Sequence, residues 1–143
     1  MFYIKILNES LLENEEPLME CIIRIEEFSE KFLIPTEYWN KMKYIKSWKE
    51  SIESGYQSNT HSVLISSMHD PSCLNFIFSW VIYYAGDNAY VQNEIIFLED
   101  LVDFDVKNIN VYIGLREEFS ENGDRISEWR TSKASVLDFY NSL

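Results

Sequence analysis

Residues 76–97 read FIFSWVIYYAGDNAYVQNEIIF, two apolar runs divided by a short polar knot. No other stretch restricts the fold as much. Phe76, Phe78, Trp80, Ile82 and Tyr84 alternate on one side of an extended chain. Ile77, Val81 and Tyr83 make the opposite side apolar too, broken only by Ser79. A strand apolar on both faces belongs in the middle of a sheet, covered above and below. The knot Ala85–Asn88 sets Gly, Asp and Asn side by side, which is the chemistry of a tight hairpin turn. The return run, Ala89 to Phe97, is more divided. Val91, Ile95 and Phe97 face one way, and Tyr90, Gln92, Glu94 and Ile96 the other.

The remaining segments follow by pattern. Phe2–Leu7 has the length of a short strand, and the polar NESLLENEE after it predicts a loop ending at Pro17. Met19 to about Glu26 carries Ile22, Ile23 and Ile25 and predicts a second strand, with Pro35 closing the segment that follows. A helix is expected next, capped by Thr36 and stopped by Gly55. Met42, Ile45, Trp48 and Ile52 would form its buried face, with Lys41, Lys43, Lys46 and Lys49 largely elsewhere. His61–Met68 predicts a strand, HDPS a turn, Ile109–Leu115 another strand and SENGDR another turn. ISEW is a short extended piece, and SKASVLDFYNSL predicts a closing helix. The order implies an α+β fold: an antiparallel or mixed central sheet with helices mainly on one face, in a single domain over 1–143.

Charge narrows the function. There are 24 acidic against 12 basic residues, a net charge of −12. That exceeds the roughly 2–8 charges that keep a small domain soluble. Such a surface repels nucleic acid and anionic membranes and attracts basic proteins. The N-terminal MFYIKILNESLL is too short and too polar for a signal peptide, and no run approaches membrane-spanning length. A soluble, cytoplasmic protein is expected, with Cys21 and Cys73 as free, buried thiols.

Few constellations carry chemistry. His69, Asp70, Ser72 and Cys73 lie close in sequence, with His61 one strand away, so a small cytosolic enzyme using His69 or Cys73 stays open. No zinc spacing links His61, His69, Cys21 and Cys73. Asp103 and Asp105 lack the glycine of a calcium loop, and Lys107 stands where an oxygen ligand belongs. Four scattered glycines cannot build a phosphate-binding loop. No cofactor and no metal are expected.

The acids form two groups. Glu9–Glu30 holds eight acids and one arginine. Glu94, Glu99, Asp100, Asp103 and Asp105 form a second run without a base, interleaved with Phe97, Leu98, Leu101, Val102 and Phe104. Large apolar groups inside a charged rim are the composition of a protein–protein hot spot. The bland alternative is a loop with solvated acids and apolar residues dipping into the core. The second run, with Glu117 and Glu118 behind it, is the preferred contact surface, and Glu9–Glu30 its rival.

Four motifs also resemble one family. They are Tyr44 and Trp48 in a Tyr-x-x-Ser-Trp helix, and the strand Leu64–Ile65–Ser66–Ser67. The hairpin pattern of Trp80, Tyr83, Gly86, Asp87, Tyr90, Gln92 and Asn93 and the late Ile126–Trp129 complete the set. Over roughly residues 20–130 the chain resembles immunity proteins of bacterial contact-dependent growth inhibition systems. The resemblance implies a stoichiometric inhibitor, not an enzyme, that binds a toxin domain delivered from a neighbouring cell. It implies a one-to-one complex with a basic nuclease toxin, a small ribonuclease of the ribonuclease A-like kind, and no nucleic-acid or membrane partner. The free protein is expected to be a monomer. An acidic adaptor for another basic protein is the alternative without a toxin.

Overall fold

The computed structural model describes residues 1–99 and 101–143. Among the described residues seven strands form two antiparallel sheets. The first holds β1 (Phe2–Glu13), β2 (Glu16–Ile25) and β3 (Phe28–Pro35) in sequence order. The second holds β4 (His61–Ser67), β5 (Phe76–Ala85), β6 (Asn88–Phe97) and β7 (Glu128–Ser132). Helix α1 (Lys41–Ser58) joins the sheets, and α2 (Lys133–Ser142) ends the chain. The α+β class holds, with the strands shared between two sheets.

β5 lies between β4 and β6, the central place that its two apolar faces demand. Trp80 meets the first sheet at Phe32, with ring centroids 6.1 Å apart, and meets Trp129 of β7 at 6.0 Å. Phe28 stacks on Trp129 at 4.2 Å. The sheets therefore join through aromatic side chains, which bury the most apolar area per residue ordered. Glu26 ties the same seam: its carboxylate accepts from Thr131 at 2.8 Å and from the N-terminal ammonium at 2.7 Å.

Several elements differ from expectation for local reasons. The segment expected as a loop before Pro17 is the outer half of a β1–β2 arm. Its polar composition reflects exposure on both faces, and it turns at Asn14 and Glu15, both at positive φ. β3 was not legible as a strand, because Ser29, Glu30 and Lys31 are exposed and only Ile34 and Pro35 are fully buried. The α1 cap is Asn40, not Thr36; its side chain accepts from the Lys43 amide at 3.0 Å. The helix runs past Gly55 to an Asn59 cap in the left-handed region.

The buried face of α1 is also rotated. It consists of Tyr44, Trp48, Ser51, Ile52 and Gly55, while Met42 is 64% exposed. Polar bonds set this rotation. The Trp48 indole donates to the Ile65 carbonyl at 2.9 Å. The Tyr44 hydroxyl donates to the Pro35 carbonyl at 2.6 Å and accepts from the Met68 amide at 2.9 Å.

Ile109–Leu115 is not a strand. Val106–Tyr112 is a 3₁₀ segment whose only buried residue is Ile109. Asp105 caps it, accepting from the Lys107 amide at 3.1 Å and the Asn108 side chain at 2.8 Å. Asn110 fastens it to α1 and β4 through Ser51 and the Val63 amide. Cys21 is buried as expected, and burial pushes its thiol up to about 12; Cys73 is exposed, contrary to expectation.

Candidate functional site

The β5–β6 hairpin has one face against the first sheet and another turned away from it. On the second face lie Ser79 and Tyr83 of β5 with Tyr90, Gln92 and Glu94 of β6, as their cross-strand pairing requires. The chain after the 3₁₀ segment, Ile113 to Glu118, passes over this face as a strap. Arg116 anchors the strap. Its guanidinium lies 3.9 Å from the Tyr90 ring centre and donates to Glu128 of β7 at 2.7 and 2.5 Å. Gln92, only 2% exposed, donates to Glu128 at 2.7 Å and to the Glu117 carbonyl at 2.9 Å. Arg116 holds the Glu128 carboxyl below its ordinary range, and Gln92 adds to that effect.

Glu94 has no such anchor. It is half-buried and accepts a 2.5 Å hydrogen bond from the Tyr83 hydroxyl. Burial pushes its pKa up and Glu117 adds to the rise, while Tyr83 and His61 offset part of it. Among the described residues no cationic side chain forms an ion pair with Glu94 or Glu117. Both border a recess of about 440 Å³ between β6 and the strap, with Phe97, Leu101, Tyr112 and Leu115 on its walls.

β6 is open beside this recess. β7 pairs with Asn88–Gln92 only, and among the described residues no strand pairs with Asn93–Phe97 on that side. The open half carries large exposed apolar groups. Ile95 is 48% exposed, Phe97 is 67%, and Leu115 across the recess is 93%.

The acids expected to act together are thus dispersed in role. Glu94 and Glu117 share the recess. Glu99 is exposed and accepts from Asn75 at 3.3 Å. Asp103 is exposed in a loop with φ at +53°, and Asp105 is spent on capping. Glu118 is exposed, 3.4 Å from Arg116. Asp100 lies outside the described residues. Three participants went unrecognised in the sequence as site residues: Tyr83, Arg116 and Glu128, with Arg116 outside every motif. The other two stand in the motif pieces named above, Tyr83 in the hairpin and Glu128 in ISEW, and β6–β7 pairing sets Gln92 opposite Glu128.

The residues weighed for catalysis do not converge. The His61 ring nitrogen lies 2.6 Å from the Asn110 carbonyl. Cys73 sits 3.8 Å from the Ser72 hydroxyl, and Asp70 accepts from Ser72 in a turn. Among the described residues neither histidine hydrogen-bonds a cysteine, and no group of three metal-ligating side chains gathers. Among them, too, no helix is long and apolar enough to cross a membrane.

Comparison with known proteins agrees with the motif pattern. The family described as the CdiI N-terminal domain matches residues 34–139. The chain is 41% identical over 143 residues to the immunity protein CdiI of Enterobacter cloacae subsp. cloacae, covering 100% of this chain and 99% of the relative. It is also similar to a chain of the solved CdiA-CT/CdiI toxin and immunity complex from Enterobacter cloacae. The TM-score is 0.94 at 40% identity, over 99% of this chain and 97% of that one. Trp48 bonds the Ile65 carbonyl of one motif strand and Trp80 of the hairpin meets Trp129 of β7, and by whole-length likeness the chain belongs to the CdiI N-terminal domain family of immunity proteins.

Proposed function

We propose that this protein inhibits a cognate toxin domain by binding it one-to-one and occluding its active site, and that the toxin is a basic nuclease acting on RNA. The observation that carries the reading is the likeness, over 99% of the chain, to a chain of a toxin and immunity complex. The net charge of −12 supports the basic character of the partner. A nuclease must be cationic where its polyanionic substrate lies, and an acidic protein competes for that ground. Inhibition by occupancy needs no turnover and no cofactor. The contact surface is proposed to include Glu94, Glu99, Asp100, Asp103, Asp105, Glu117 and Glu118. The site of action is the cytoplasm, where the target RNA lies.

The test is titration of this protein into its cognate toxin domain, expected to be encoded immediately upstream, read by RNA cleavage. Complete inhibition at one equivalent is expected. Cleavage that continues at several equivalents, with no complex on size exclusion, would overturn the reading. Binding of a basic protein that has no nuclease activity would favour the adaptor alternative.

A further inference from the structure

We propose that the open half-edge of β6, Asn93–Phe97, is where the toxin docks: an extended basic segment of it adds as a strand there and sends a lysine or arginine into the recess at Glu94 and Glu117. The inference rests on the toxin-binding reading and gives it a place and a mode.

The first support is the unfinished sheet. β7 stops pairing at Gln92, and alternate residues of Asn93–Phe97 turn backbone N–H and C=O groups toward the vacant side. Natural sheets shield such edges with lysine, proline or a covering element, because an open edge recruits any extended chain. Here the edge carries Ile95 and Phe97, both exposed, and no basic residue. Added strands gain affinity from main-chain hydrogen bonds and specificity from pockets that receive alternate side chains. The pleat supplies both. Asn93, Ile95 and Phe97 share one face, with Phe76 and Phe78 beside them across the β5 pairing. Glu94 and Ile96 share the other, and there the recess opens.

The second support is charge. Among the described residues no cationic side chain forms an ion pair with Glu94 or Glu117, which border one recess, and the nearby Arg116 is committed to Glu128. Tyr83 already satisfies one Glu94 oxygen and holds the carboxylate in place. A guanidinium or ammonium entering there would meet a positioned acceptor, with apolar walls excluding water. Net charge and local charge therefore select the same occupant, a cationic segment. The β1–β2 arm also has a strand edge at β1, but there Lys41 already reaches Glu9.

The experiment is amide hydrogen exchange on this protein, alone and with the upstream-encoded toxin domain, joined to affinities of Glu94→Gln and Glu9→Gln. In the complex, alternate amides within Asn93–Phe97 are expected to slow at least tenfold. Glu94→Gln, which keeps an acceptor for Tyr83, is expected to weaken binding at least tenfold, and Glu9→Gln less than twofold. A complex of undiminished affinity in which the 93–97 amides exchange as in the free protein would overturn this inference and leave the inhibitory role intact. A toxin domain that does not bind at all would overturn both.

Discussion

At the residue scale, Glu94 shows how a site can oppose the stability of its own fold. Burial raises its pKa in the folded chain, with Glu117 adding to the rise and Tyr83 and His61 offsetting it. The unfolded carboxyl ionises first as pH rises, so folding carries a penalty that grows through the carboxylate range. The penalty is complete above the folded pKa and absent below the unfolded one. Glu94→Gln removes it while keeping an oxygen for the Tyr83 hydroxyl. Thermal melts should therefore show the variant more stable than the parent at neutral pH. The difference should shrink in acid and vanish below about pH 4, where both carboxyls are neutral. A variant less stable at neutral pH would mean that Glu94 serves the fold rather than a partner.

At the element scale, the helix–strand contact depends on a missing side chain. A Cβ on Gly55 would stand 1.9 Å from the His61 carbonyl oxygen and 2.4 Å from the Ser62 hydroxyl. The glycine lets α1 lie close against β4, where Ser51 and Ser62 exchange bonds with the facing backbone at 2.7 and 2.9 Å. Gly55→Ala should thus destabilise by about 2–3 kcal/mol or more, although alanine is the better helix former. Urea denaturation measures it; an unchanged midpoint would show that α1 can stand off without loss. The same element marks the limit of pattern reading. Gly55 reads as a helix stop because glycine usually ends helices, but here its lack of a side chain serves packing. Met42 fits the period of an inward face, yet Tyr44 holds that face by bridging Pro35 and Met68.

At the scale of the whole molecule, the proposed basic partner would meet a net charge of −12, which bears on encounter more than on complex lifetime. Opposed fields speed association toward about 10⁸–10⁹ M⁻¹s⁻¹ at low salt, and screening removes the gain. Association with the toxin domain should slow at least ~10-fold between ~20 mM and ~500 mM salt, with dissociation changing less than ~3-fold. Stopped-flow measurement separates the two. A salt-independent association rate would show that the acidic surface does not steer the partner.

By itself the sequence determined the β5–β6 hairpin, the central place of β5, the closing helix and the α+β class. Each rests on local periodicity or turn chemistry, which a chain carries in its own text. It also determined the family, because the Tyr44/Trp48 helix, the Gly86–Asp87 turn and the Gln92 and Glu128 strands keep their order along the chain. Tertiary structure alone decided which acids stand together. Glu94 and Glu117 are far apart in sequence and meet because the strap folds back over β6, while Asp105, inside the same acidic run, is turned to capping. It also decided that β7 begins only at Glu128 and leaves Asn93–Phe97 open. Exposure, pairing and counter-charge are relations between segments, so no single segment could announce them.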